Sequence, residues 1–359
     1  MAPRDLFLLD PDVVYLNHGS FGACPRPVFD VYQAWQREVE RQPVELLARR
    51  LDGELAQVRS ALADYLDAAA DDLVLVPNAT TAVNAVLRSL PLVPGDEILT
   101  TEHEYGAVDL LLDFVSEQTG ARIVRRAGVD AEAIWAGATE RTRVLVVSHV
   151  TSTTALLFPV EELCHLAREA GVLSVVDGAH GPGQIPVQLG RVGADFYAGN
   201  CHKWVCAPKG AGFLHVRAER QQLLEPLVVG WGIREPEFSL RHGRQGTNDP
   251  SAFLSIPAAI DFVREHGREE QCRALLQEGA RELADAGFDP FAPGQPLQMA
   301  CFRLPDCDPE EIELRLVETF RIEAPVRAWN GQILIRVSVA PYNTAEELAA
   351  LEGALSTIF

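Results

Sequence analysis

Short apolar runs alternate with helix-length stretches from about Arg59 to Val216. The runs Leu73–Val76, Glu97–Thr100, Arg122–Val124, Val144–Val147, Leu173–Val176, Asp195–Ala198 and Gly212–Val216 read as buried strands. The segments between them, such as Thr81–Leu90 and Val160–Ala170, carry apolar residues at helical spacing. This alternation predicts a mostly parallel sheet covered by helices on both faces.

Beyond Gly246 the pattern changes. Helices are predicted over Asn248–Glu265, Glu269–Ala286 and Pro309–Thr319, with strands over Leu297–Leu304, Phe320–Ala328 and Gln332–Val339. Asn330-Gly331 is a hairpin turn signal, and Thr344 with Glu347 three residues on is a capping box opening a last helix. The expected fold class is therefore α/β, with a large domain over 20–245 and a smaller α+β C-terminal domain made of 246–359 and joined by 1–19.

The chain length of 359 residues suits two domains or one large α/β domain, and 47% hydrophobic with 23% charged residues excludes a disordered chain. A net charge of −20 repels phosphate backbones and anionic lipid, so neither nucleic acid nor a membrane is expected as a partner. The seven cysteines are odd in number, scattered and without paired metal spacing, which predicts reduced thiols and no metal site. No apolar run approaches membrane-spanning length, and the expected location is cytoplasmic.

Only two of the 31 basic residues are lysines, Lys203 and Lys209. A desolvated amine can lose its proton and form a Schiff base with an aldehyde, which an arginine cannot. Lys203, in Asn200-Cys201-His202-Lys203-Trp204, follows a predicted strand, whereas Lys209 sits in a Gly/Pro turn and reads as solvated. Asp177 closes the run Leu173–Val176, at the strand end where open α/β sheets bind ligands. Asn78-Ala79-Thr80-Thr81 follows another strand, and a helix N-terminus there suits a phosphate. An aldehyde-binding lysine, a strand-end carboxylate for a ring nitrogen and a phosphate nest together describe pyridoxal 5'-phosphate. Each feature alone has an ordinary structural explanation, as a turn, a surface charge or a cap.

The motifs Tyr15-Leu16-Asn17-His18-Gly19-Ser20-Phe21-Gly22, Ser148-His149-Val150-Thr151-Ser152, Val175-Val176-Asp177-Gly178-Ala179-His180, Asn200-Cys201-His202-Lys203-Trp204 and Gly246-Thr247-Asn248-Asp249-Pro250 occur in this order. Over nearly the whole chain they resemble the class V aminotransferase group of fold type I pyridoxal-phosphate enzymes, in the branch that includes isopenicillin N epimerase and cysteine desulfurase-like proteins. The resemblance implies that Lys203 holds the cofactor aldehyde, that Asp177 keeps the ring nitrogen protonated, and that Thr80, Thr81, Asn200 and His202 bind the phosphate. It further implies that His180 and Ser152 contact the ring hydroxyl and that an aromatic from Glu102–Tyr105, here His103 in preference to Tyr105, covers the ring. Gly246-Thr247 would reach the cofactor phosphate of a neighbouring subunit, implying a homodimer. Arg336 would bind the substrate carboxylate, with Asn17 and His18 entering the same pocket.

Desulfurases carry a nucleophilic cysteine shortly before that arginine, and 320–334 contains none. The expected function is thus abstraction of the Cα proton of an amino acid substrate, as an epimerase or a C-S lyase. A class V aminotransferase is the second expectation, and a catalytically silent dimeric binding protein the third.

Overall fold

The computed structural model of the protein describes residues 4–359, so the first three positions of the expected 1–19 segment lie outside the described residues. All seven predicted strands of the first region form one sheet. Its spatial order is Leu73–Val76, Gly212–Val216, Phe196–Asn200, Leu173–Gly178, Thr142–Ser148, Glu97–Thr101 and Arg122–Arg126. Only Gly212–Val216 runs against its neighbours; the other ladders from Phe196–Asn200 outward are parallel. Helix-length connections between successive strands explain that direction, because a parallel pair needs a crossover.

Both faces of this sheet are covered, which is why Phe196–Asn200 is buried along its whole length and Thr142–Ser148 at every residue but Arg143. Helices Ala79–Leu87 and Gly106–Thr119 pack one face around Val83, Leu112 and Val146. Helices Leu51–Leu66, Val160–Glu169 and Ile256–His266 pack the other around Leu62, Leu163, Val176 and Ile260.

The C-terminal region adds a four-stranded antiparallel sheet, ordered Val326–Trp329, Gln332–Ser338, Met299–Leu304, Asp289–Phe291. Its core of Phe302, Ile335 and Val337 packs against helices Glu269–Asp285, Pro309–Phe320 and Ala345–Ile358. The Asn330-Gly331 turn has positive φ at both residues, 44° and 72°, as a two-residue hairpin with matched twist requires. The Thr344 and Glu347 capping box is formed.

Two predicted elements are divided. The run 320–328 is not one strand. Arg321 turns left-handed to end a helix, Ile322–Glu323 pairs in parallel with Val14–Tyr15, and Val326–Trp329 joins the antiparallel sheet. Pro325, lacking an N–H, marks the break. The run 248–265 begins its helical structure only at Ser251 and splits at Ser255 into Ser251–Leu254 and Ile256–His266, with Pro257 in the first turn of the second helix. The short strand Asp289–Phe291 has no counterpart among the predicted elements.

Candidate active site

Parallel register brings three polar residues to one edge of the large sheet. Ser148 lies opposite Asp177, Asp177 lies opposite Ala198, and Asn200 ends the next strand two residues further on. Beyond these strand ends is a cleft of about 240 Å³, whose wall includes Thr80, Ser152, Asp177, His180, Asn200, His202 and Lys203. Seven residues expected from sequence therefore meet in one place.

Asp177 is 5% exposed and receives a hydrogen bond from the Ala179 amide to Oδ1 at 2.9 Å. Burial raises its carboxyl above the usual range, opposed by that amide and by the Lys203 charge. Lys203 is half-buried, with Nζ 3.0 Å from His180 Nε2. Desolvation, reinforced by the Arg336 guanidinium and opposed by Asp177, lowers its amine to about 7. A lysine so shifted can be a neutral nucleophile or base near neutral pH.

At the other end of the cleft, the helix Ala79–Leu87 presents its first turn. Asn200 Oδ1 accepts from the Ala79 amide at 2.8 Å, and Asn78 Oδ1 accepts from the Thr81 amide at 2.8 Å. The Thr80 amide between them is left for another acceptor. His202 Nδ1 lies 2.9 Å from the Ala211 carbonyl, and since a carbonyl only accepts, that nitrogen carries the proton. Burial lowers the His202 imidazole to about 4. Thr81 is not on the wall; its hydroxyl donates to Asn78 as part of the cap.

Arg336 comes from the small antiparallel sheet and lies just behind the wall, against its residues Ser20 and Ser152. It is 6% exposed, yet its four hydrogen bonds go to neutral oxygens: the Ser152 carbonyl at 2.7 Å, Ser152 Oγ at 3.2 Å, Asn17 Oδ1 at 3.3 Å and Ser20 Oγ at 2.7 Å. Its Nε has no partner. A buried guanidinium without a carboxylate is held at a cost that an incoming anion relieves.

Besides Thr81, three more expected residues lie off this wall. His18 is behind the lysine, with the Ala23 amide donating to Nδ1 and Nε2 directed at the Lys203 carbonyl, both at 3.2 Å. Burial lowers it to about 3, so the ring is neutral where it braces the lysine loop. The adjoining Gly22 is left-handed, and a Cβ there would strike the His202 and Lys203 carbonyls. His103 is off the wall, stacked on Trp329 with ring centroids 4.7 Å apart and bonded to Thr154 at 3.1 Å. Of the two aromatics offered by 102–105, Tyr105 is the one on the wall, where it directly precedes the helix Gly106–Thr119. Thr247 is exposed and lines a second cavity of about 590 Å³ with Trp231.

The sequence reading assigns no role to Ser20 or Glu104 and places Tyr105 second to His103. Ser20 and Tyr105 line the wall, and Glu104 lies buried behind it, accepting from Thr101 Oγ1 and Ser148 Oγ at 2.7 Å each. Burial, with the Asp177 charge adding to it, raises Glu104 to about 7 against the pull of those hydroxyls. The signal available was position: all three flank predicted strand ends or motif residues.

Residues 25–351 match the family described as Aminotransferase class-V. The chain belongs to that family. Isopenicillin N epimerase of Streptomyces clavuligerus is 36% identical over 99% of this chain and 97% of its own length. A putative L-cysteine desulfhydrase of Oryza sativa subsp. japonica is 31% identical, covering 96% of this chain and 83% of its own. Among solved structures, the cystine C-S lyase C-DES in complex with cysteine persulfide superposes with a TM-score of 0.88 at 23% identity, covering 96% of this chain and 98% of that one. As a class-V aminotransferase family member the protein is a pyridoxal-phosphate-dependent enzyme of fold type I. Its residues fit that cofactor: an amine of lowered basicity, a buried carboxylate with one oxygen uncommitted, and an open helix-terminal amide surround one cleft.

Proposed function

We propose that the enzyme removes the Cα proton of an amino acid or aminoacyl substrate, as an epimerase or a C-S lyase. The observation that carries this reading is a weakly basic Lys203 amine on the cleft wall together with a buried Arg336 guanidinium that lies against the wall residues Ser20 and Ser152 and has no carboxylate partner among the described residues. Arg336 and Ser20 bind the substrate carboxylate, Asn17 orients the guanidinium, and Lys203 holds and moves the proton at Cα. Asp177 would supply the negative charge for the ring nitrogen, and Thr80, Asn200 and His202 would hold the phosphate. Tyr105 would cover the ring, and His180 would meet its hydroxyl. Bound there, pyridoxal phosphate supplies the electron sink for a carbanion at Cα.

Desulfuration through a cysteine persulfide on the protein has no support, since the cleft wall includes no cysteine and Cys301 is buried with its thiol donating to the Thr153 carbonyl. A homodimer is part of the proposal. Trp231 is 93% exposed beside Thr247 in the second cavity, which suits a surface that a second copy covers while receiving Gly246-Thr247 at its own phosphate site.

Incubation in deuterated water with a panel of L-amino acids and cysteine conjugates tests the reading. Cα deuteration with inversion supports an epimerase, and pyruvate release from a cysteine conjugate supports a lyase. Keto acid formation with transfer of the amino group would make the enzyme an aminotransferase. Absence of exchange across the panel would leave a silent homologue.

A further inference from the structure

Trp204 lies behind the lysine, buried against His18 and beside Gly19. Its indole Nε1 is 3.3 Å from His180 Nδ1, and on the far side of that ring His180 Nε2 is 3.0 Å from Lys203 Nζ. An indole N–H only donates, so His180 Nδ1 must accept. His180 is neutral, because burial and the nearby Lys203 and Arg336 cations lower its basicity well below the usual value. A neutral imidazole that accepts at Nδ1 carries its single proton on Nε2. That proton faces Nζ, and an amine accepts a hydrogen bond only when it lacks its third proton.

We infer that Trp204 is a positioning residue: by donating to His180 Nδ1 it fixes the tautomer whose Nε2–H holds Lys203 as a free amine. The other charged or titratable groups around this chain of bonds are few. Asp177, backed by Glu104, faces Lys203 from the large sheet and favours its charged form, and Arg336 faces it from the small sheet and opposes that form. His18 touches the lysine only at its backbone carbonyl, and the neighbouring His202 is bonded to Ala211. A free amine is the form that attacks an aldehyde and accepts a proton. Only that last use rests on the proposed function; the tautomer and the state of the amine do not.

The two lysines of the chain allow a direct test. The full-length protein freed of cofactor is treated with trace formaldehyde and cyanoborohydride across a pH series, and the Lys203 and Lys209 peptides are quantified by mass spectrometry. In the parent, methylation of Lys203 should titrate near 7. In Trp204→Phe, which keeps an aromatic ring but no donor, His180 can take its proton on Nδ1 and accept from an ammonium. The Lys203 midpoint should then rise by at least about one pH unit, lowering its reactivity relative to Lys209 at neutral pH by at least roughly fivefold. An unchanged midpoint overturns the inference. Nitrogen-15 histidine spectra of the parent, with His180 assigned by its absence in His180→Asn, give a second reading independent of whether the Trp204 variant folds. A protonated Nε2 and bare Nδ1 support the assignment, and the reverse pattern overturns it. Both measurements are blind to turnover, so failure of the Cα exchange panel would count against the function alone.

Discussion

Two buried aspartates at opposite ends of the large sheet are treated in opposite ways. Asp195, 3% exposed at the amino end of Phe196–Asn200, accepts from the Ser174 amide at 3.0 Å and from Arg220 Nε at 2.9 Å, with Arg217 3.6 Å away. Asp177, at the carboxyl end of the adjacent strand, accepts one hydrogen bond, from Ala179. The cations divide likewise: Arg220 is paired, whereas Arg336 is buried among neutral oxygens. Closed charge at the amino end contributes to stability, and open charge at the carboxyl end is the cost of a site that binds charged ligands.

The sharpest break in this comparison is Lys203→Ala. Borohydride reduction of the cofactor-loaded parent should leave a pyridoxyl group on the Lys203 peptide, and the variant should lose both that adduct and Cα exchange completely. Lys209→Ala should retain both, because Lys209 donates to the Gly22 carbonyl outside the cleft. A pyridoxyl group on Lys209 would reverse the assignment.

The aspartates should then separate by phenotype. Asp177→Asn removes the charge facing the ring nitrogen, so exchange should fall by about three orders of magnitude, roughly 4 kcal/mol of transition-state stabilisation, with unfolding hardly altered. Asp195→Asn should do the reverse, losing about 2–3 kcal/mol of stability as Arg220 and Ser174 lose an ionised partner, while exchange per folded molecule persists. Equal losses of activity in the two variants would erase the distinction between the ends of the sheet.

This distinction was partly legible in the sequence. Strands buried on both faces announce themselves as apolar runs, so the sheet and its polar carboxyl edge, with Asp177, Asn200 and Lys203, could be read directly. Side-chain direction at turns could not. His103 and Tyr105 are two residues apart after the same strand, and only the packing of Trp329 on His103 decides which faces the cleft. His18 stands in the motif that enters the pocket, yet the left-handed Gly22 bends the chain so that its ring meets the lysine loop from behind. The division of 320–328 depends on Val14–Tyr15, over 300 residues away, which no local pattern announces.

Glu104 extends the comparison to pH. Its carboxyl lies near 7 in the folded protein against an ordinary 4.5, so between those values the folded state holds a proton that the unfolded state has released. Stability therefore falls as pH rises from about 4.5 to 7, by about 3 kcal/mol at most for this group. Glu104→Gln should flatten that part of the profile in denaturant unfolding of the cofactor-free chain. Asp177 slopes in the same direction, because its carboxyl is raised too. A profile identical in parent and variant would mean that Glu104 is already ionised in the fold.

The smallest effect concerns Arg336 and sharpens the contrast with Arg220. Both are arginines beside oxygen acceptors, but only Arg220 has a carboxylate of its own chain. If the partner of Arg336 is the substrate, Arg336→Lys keeps the charge and loses the planar fork that holds two oxygens at once. The cost should be roughly 1.5–3 kcal/mol in kcat/KM for substrates with a free carboxylate. Amino acid amides offer no carboxylate, so parent and variant should process them at similar rates. The comparison of acids with amides removes any general disturbance from the lost Ser20 and Ser152 contacts, since that would slow both classes alike. Equal penalties on acids and amides would make Arg336 a structural residue, as Arg220 is, and would move carboxylate recognition to another part of the cleft.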